Sequence, residues 1–74
     1  MQDKVHAIWA DKLALADFSD DEDFFALGGH SLIMVRIQDA LAAEFGVEVP
    51  MDDLFRHATV ASVAKYLQGV LQDA

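Results

Sequence analysis

Apolar residues recur every three or four positions in three separate segments of this 74-residue chain. That spacing places them along one face of an α-helix. The pattern predicts helices over residues 3–15, over residues 31–45, and after Thr59, which is a good N-cap residue. Pro50 can open a further short helix. Because a chain this small buries only about 60% of its unfolded surface, these faces must pack on one another. We therefore predict an all-α fold: a small antiparallel helical bundle of three main helices and one short helix, with a long first loop.

The predicted second helix has more apolar surface than one core contact needs. At about 100° per residue, one side of the helix carries enough apolar residues for the core. Leu32 and Val35 point roughly the opposite way, on the side of Arg36 and Asp39. They predict either cover by the first loop or contact with a partner, and for Leu32 we favour the partner. The residues predicted to be largely buried are Trp9, Ile37, Leu41, Phe55 and Leu67.

Composition narrows the classes of function. The chain has no cysteine, which excludes disulfides and thiolate metal sites, and its formal charge of −8 disfavours nucleic acid and anionic lipid as partners. No apolar run approaches the roughly 18 residues of a membrane span, and the N-terminus lacks the pattern of a signal peptide. We expect one domain over residues 1–74 that is cytoplasmic, monomeric and attractive to partners with basic surfaces.

The stretch FFALGGHSLI, residues 24–33, holds the candidate site. Gly28 and Gly29 interrupt the chain just before Ser31, at the predicted start of the second helix. Ser31 can be a simple N-cap. A hydrolytic pair of His30 and Ser31 is disfavoured, because Ile33 replaces the second glycine of a nucleophile elbow and neighbouring residues do not face each other on a helix. A calcium loop starting at Asp17 lacks its glycine and glutamate at the required positions.

Covalent attachment is the remaining interpretation of Ser31. It requires an exposed hydroxyl on a rigid element with room for an approaching enzyme, which the two glycines provide. A phosphate ester at this position would lie beside the unpaired N–H groups and positive dipole end of the second helix. The residues thus leave open an attachment site and a purely structural cap.

Several motifs resemble the peptidyl carrier, or thiolation, domains of nonribosomal peptide synthetases. They are IWADKL in the first helix, LGGHSL around Ser31, EFGVEVP after the second helix, and ATVASVAKYL near the end. The resemblance covers almost the whole chain. A histidine before the serine is typical of the peptide-synthetase branch. Ala58 stands where the family often has proline, and Phe18 where an aliphatic residue is usual.

The resemblance implies that Ser31 carries covalent 4′-phosphopantetheine, transferred from coenzyme A by a phosphopantetheinyl transferase. The thiol of that arm would hold an aminoacyl, aryl or peptidyl group for adenylation, condensation, tailoring or thioesterase partners, and the domain itself would catalyse nothing. The predicted partner contacts are His30, Leu32, Val35, Arg36 and Asp39. The competing hypothesis is an acidic helical interaction module in which Ser31 only caps a helix.

Overall fold

A computed structural model describes residues 1–72, which form four helices and no strand. Helix α1 packs against both α2 and α4, and α3 packs against α2. The prediction of an all-α bundle with one short helix and a long first loop is confirmed. None of the helices in this described part of the chain is long and apolar enough to cross a membrane. Their bounds are α1 Gln2–Leu13, α2 Ser31–Phe45, α3 Met51–Arg56 and α4 Val60–Gln72.

The helix ends follow from local backbone chemistry. Helix α1 ends two residues before the predicted boundary, because Ala14 adopts the left-handed conformation with φ 55°. Gly46 takes the same conformation with φ 70° and ends α2 as predicted. Thr59 is the predicted cap of α4: its Oγ1 accepts a hydrogen bond of 3.1 Å from the backbone N–H of Ser62.

The core lies between the three long helices. The predicted burial of Trp9, Ile37, Leu41 and Leu67 is confirmed, but that of Phe55 is wrong, since 38% of Phe55 remains exposed. Helix α3 has six residues, and its buried residue is Leu54. Phe55 instead stacks on Phe25 at the surface. The apolar stripe of α4 is likewise buried only as far as Leu67, and it ends in exposed positions at Val70 and Leu71.

The first loop, residues 14–30, is held to the bundle at several points. Phe18 is half-buried, packs against the core and stacks on the ring of His6. The carboxylate of Asp20 accepts hydrogen bonds from Gln2 Nε2, at 2.7 Å, and from His6 Nδ1. The backbone carbonyl of Asp20 also accepts a 3.1 Å hydrogen bond from the N–H of Ala61 in α4. Asp20 therefore connects the first loop to both α1 and α4.

These hydrogen bonds predict an acid-sensitive contribution to stability. Gln2 first, and then His6, hold the pKa of Asp20 below its ordinary value of 3.8. A lowered folded-state pKa gives stability that is present above the unfolded pKa and is lost as the pH falls below about 3.8. Asp20→Asn should therefore reduce the free energy of unfolding by about 1 kcal/mol at neutral pH. This deficit should shrink when urea denaturation is repeated at progressively lower pH.

Asp21→Asn is the matched control, because Asp21 is exposed and its carboxylate has no hydrogen bond within residues 1–72. It should change stability little at any pH. Equal effects of the two substitutions, or a deficit for Asp20→Asn that does not change with pH, would contradict the role given to Asp20.

Candidate functional site

A short hydrogen-bonded turn, residues 24–28, leads into the site. The carboxylate of Asp23 opens it by accepting hydrogen bonds from the N–H groups of Phe25, at 2.9 Å, and Ala26, at 3.1 Å. The N–H of Leu27 then bonds to the carbonyl of Asp23 at 3.1 Å. The turn is therefore held by both side-chain and backbone hydrogen bonds. Asp23 therefore caps this turn.

The ring of Phe24 determines where the chain goes next. Phe24 is fully buried and contacts Trp9 edge to face, with ring centroids 6.1 Å apart. Its backbone N–H donates to the carbonyl of Ala58 at 2.7 Å, which fixes the turn against the start of α4. The backbone of Gly29 crosses directly over this ring, so that an added Cβ at Gly29 would overlap it. Gly29 is required here for close approach to Phe24.

Gly28 serves a different purpose. Its φ is 92°, a conformation that L side chains rarely adopt, and the space around it is open. The chain reverses there and reaches His30 in an extended conformation. Ser31 follows His30, lies at the surface and is the first residue of α2.

The structure corrects the interpretation of Ser31 as an N-cap. His30 occupies the N-cap position, and no side chain caps α2. Ser31 lies one residue later, is exposed, and its hydroxyl makes no hydrogen bond within the described residues. The hydroxyl is therefore not used by the fold and is accessible from solvent.

The start of α2 suits a bound anion. Its first intrahelical bond among the described contacts is from the N–H of Met34 to the carbonyl of His30, at 3.0 Å, so the preceding N–H groups are unpaired by the helix. The first turn contains no acidic residue. In α4, by contrast, the Oγ1 of Thr59 accepts a hydrogen bond from one such group, the N–H of Ser62. A phosphate ester on Ser31 fits this uncapped terminus and the positive end of the helix dipole.

The side chains predicted to contact partners are all exposed. Leu32 is 58% exposed and Val35 is 40% exposed, so the first loop does not cover Val35. His30, Arg36 and Asp39 are exposed as well. The structure thus brings these residues to the same helix as Ser31, and their role in partner contact stays a prediction.

The other two histidines make side-chain contacts of their own. His6 bonds to Asp20, and His57 packs obliquely on Tyr66 with ring centroids 5.6 Å apart. The hydroxyl of Tyr66 donates to Asp53 at 2.9 Å, which raises the pKa of Tyr66. Within residues 1–72, no three His, Asp or Glu side chains come close enough together to hold a metal ion.

One feature near the site was missed by sequence reasoning. Phe25 and Phe55 stack with ring centroids 5.7 Å apart and an interplanar angle of 13°, and both are substantially exposed. Phe25 also contacts the buried ring of Phe24 edge to face, at 5.2 Å. Nothing in the spacing of the apolar residues connects positions 25 and 55, so this pair is a product of the tertiary fold.

Comparison with known proteins identifies the family to which the chain belongs. Residues 3–67 match the family model described as the phosphopantetheine attachment site. The chain is 38% identical over 73 residues to a linear gramicidin synthase of Brevibacillus parabrevis, and the match covers 99% of this chain and 1% of that synthase. The chain therefore spans a very small part of this relative.

Two solved structures have the same fold. One is the McyG A-PCP complexed with phenylalanyl-adenylate, with a TM-score of 0.85, 32% identity, and coverage of 89% of this chain and 10% of that one. The other contains a peptidyl carrier protein with the phosphopantetheine transferase Sfp and coenzyme A, with a TM-score of 0.88 and 28% identity. That match covers 92% of this chain and 88% of the other.

The helical fold and the family match define the class of protein as a carrier domain that bears a phosphopantetheine group. The chain belongs to the phosphopantetheine attachment family, and it is a phosphopantetheine-dependent carrier domain similar to those of nonribosomal peptide synthetases. Its cofactor is 4′-phosphopantetheine.

The close approach at Gly29 predicts a specific cost of substitution. Gly29→Ala forces a methyl group into the ring of Phe24, and overpacking of this kind costs about 1–3 kcal/mol. We expect a lower free energy of unfolding in urea, measured by circular dichroism.

Gly69→Ala is the matched control, because Gly69 lies within α4 with nothing near its would-be Cβ. It should stabilise the protein by up to about 1 kcal/mol, since alanine favours a helix. A Gly29→Ala variant as stable as the unsubstituted protein would show that Phe24 does not constrain this backbone.

Proposed function

We propose that Ser31 is the residue that carries 4′-phosphopantetheine, and that residues 1–74 act as a single carrier domain of a nonribosomal peptide synthetase system. The observation that carries this proposal is the position of Ser31. It is the exposed first residue of α2, with a hydroxyl that makes no hydrogen bond within residues 1–72. The competing hypothesis, an interaction module in which Ser31 only caps the helix, is disfavoured because His30 occupies the cap position.

The attachment chemistry needs a separate enzyme. The Oγ of Ser31 forms a bond to the phosphorus that bears the pantetheine of coenzyme A, and the bond from that phosphorus to the bridging oxygen of the pyrophosphate breaks. Adenosine 3′,5′-bisphosphate leaves. The proton of the hydroxyl must pass to a base of the transferase, because no described carboxylate or imidazole hydrogen-bonds to Ser31. The unpaired N–H groups of α2 can then stabilise the charge of the phosphodiester.

The carrier role follows from the chemistry of the arm, whose thiol holds an acyl group as a thioester. We propose aminoacyl, aryl or peptidyl groups as cargo, and adenylation, condensation, tailoring or thioesterase enzymes as partners. A solved relative is described as an A-PCP with phenylalanyl-adenylate, which supports an adenylation partner. We further propose that the domain is non-catalytic, monomeric and cytoplasmic.

Partner recognition is proposed to involve the exposed face of α2 beside Ser31. Leu32 and Val35 supply apolar contact area there, and His30, Arg36 and Asp39 supply polar groups that orient the partner. An enzyme that uses the thiol has to approach this end of the bundle. The net charge of −8 should accelerate encounter with basic surfaces, and added salt should weaken that effect.

The attachment residue can be tested by intact mass after incubation with coenzyme A and a phosphopantetheinyl transferase of broad tolerance. The protein should gain one phosphopantetheinyl group, and Ser31→Ala should gain none. Because Ser31 makes no capping bond, its loss should change the free energy of unfolding by less than about 0.5 kcal/mol.

Ser19→Ala and Ser62→Ala are the controls, and both should be modified normally. Retained modification of a folded Ser31→Ala variant, or its loss in either control, would place the arm elsewhere.

The proposed docking face can be tested by comparing loading kinetics with thermal stability. Leu32→Ala should lower kcat/KM for loading of the holo-protein by its adenylation partner by a factor of about 5 or more, as expected for an interface residue worth about 1 kcal/mol. Its melting temperature should change little, because 58% of Leu32 is exposed in the free protein.

Leu71→Ala is the control, since it removes another exposed leucine, 37% exposed, near the end of α4. It should load at the normal rate. Normal loading of Leu32→Ala together with a much lower melting temperature would assign Leu32 to the core and place the docking face elsewhere.

A further inference from the structure

The exposed pair of Phe25 and Phe55 is a rigid aromatic surface near the attachment site. Phe25 is held on one side by the hydrogen bond from its N–H to Asp23 and on the other by its edge-to-face contact with Phe24. Phe55 extends from α3 beside the buried Leu54. Phe25 is 46% exposed and Phe55 is 38% exposed. A stacked pair fixed in this way presents apolar area without having to order itself on binding.

The pair lies within reach of a group tethered at Ser31. Gly29 is two residues from Ser31 and rests on the ring of Phe24, which is 5.2 Å from the ring of Phe25. These contacts place the Phe25 ring within roughly 18 Å of the Cα of Ser31. The phosphopantetheine arm has a backbone equivalent to nearly five extended residues, or roughly 16 Å beyond the serine oxygen.

We propose that the stacked Phe25–Phe55 pair is a resting site for the apolar or aromatic acyl group carried on this domain's own arm. The inference rests on the proposed attachment at Ser31. Two rings are too small a surface to form a stable protein interface, which requires on the order of 1,000 Å². They match the size of one amino-acid side chain, and an aromatic group gains further energy from offset stacking or edge-to-face contact.

Tethering makes so small a site effective. A group on a short flexible linker has an effective concentration in the mM range. A contact with a dissociation constant of about that size is therefore occupied roughly half of the time, although the free compound would need comparable concentrations to bind. Small or polar acyl groups lack the apolar area to use the pair, so the resting position depends on the cargo.

The experiment begins by attaching arms of defined cargo to Ser31 with a transferase and acyl derivatives of coenzyme A. Intact mass and the unmodified Ser31→Ala variant first confirm the attachment, so failure at this step overturns the proposed function itself. Phenylpropionyl-loaded and acetyl-loaded proteins are then compared by amide chemical shifts in ¹H–¹⁵N spectra. The aromatic cargo should produce additional shifts centred on Phe25 and Phe55.

Two variants determine whether these shifts report contact with the pair. Phe55→Ala should reduce the additional shift at Phe25 by at least twofold, and Phe55→Leu, which keeps an apolar side chain if the alanine variant is unstable, should reduce it less. Leu71→Ala, at an exposed apolar position in α4, should leave the shift unchanged.

Identical spectra for the two cargoes, or differences confined to residues next to Ser31, would overturn the proposal. Either result would leave the pair as part of a surface for partner proteins. Additional shifts that persist fully in both Phe55 variants would overturn it as well.

Discussion

The packing of the Phe24 ring beneath the backbone of Gly29 is the contact on which the site depends. The ring of Phe24 contacts Trp9 in the core, and the backbone N–H of Phe24 donates a hydrogen bond to the carbonyl of Ala58 just before α4. Residues distant in sequence therefore fix the ring. Because no side chain fits between the ring and residue 29, the backbone lies against the core two residues before Ser31, the proposed attachment residue. The position of Ser31 is therefore set by the core itself rather than by the loop that precedes it.

The site also depends on hydrogen bonds that the chain does not make at the start of α2. Asp23 caps the short turn and Thr59 caps α4, so this protein uses side-chain caps elsewhere. The start of α2 has none, and the hydroxyl of Ser31 has no partner within the described residues. An unsatisfied helix start costs little where water can reach it, and it favours a phosphodiester once one is attached. The result is an accessible hydroxyl on a rigid helix, which is what the proposed attachment at Ser31 requires.

Several apolar side chains also remain exposed around the site. A domain of this size has little apolar surface to spare, yet Phe25, Leu32, Val35 and Phe55 remain substantially exposed. Phe55 lies on the six-residue α3, whose buried residue is Leu54, and α2 buries Met34, Ile37 and Leu41 in place of Leu32 and Val35. Leu32 and Val35 lie on the helix that begins at Ser31. The stacked phenylalanines are connected to that helix by the contact of Phe25 with Phe24 and by the packing of Gly29 on the Phe24 ring. The core is thus formed mainly by α1, α4 and the inner face of α2, while these apolar side chains stay exposed at the surface.

The sequence by itself determined the helical class, the start and end of α2, the cap at Thr59 and the serine that follows the glycine pair. These features depend on residue spacing and on the local conformational preferences of Gly, Ser, Thr and Pro, which act over a few neighbouring residues. The tertiary structure alone decided that Phe55 stays exposed on Phe25, that Asp20 joins the first loop to α1 and α4, that Asp23 serves as a cap, and that His30 rather than Ser31 occupies the N-cap. Each of these outcomes depends on the path that the first loop takes across the bundle. That path is set by contacts between residues up to some forty positions apart, such as Phe24 with Ala58 and Asp20 with Ala61, which local periodicity does not encode.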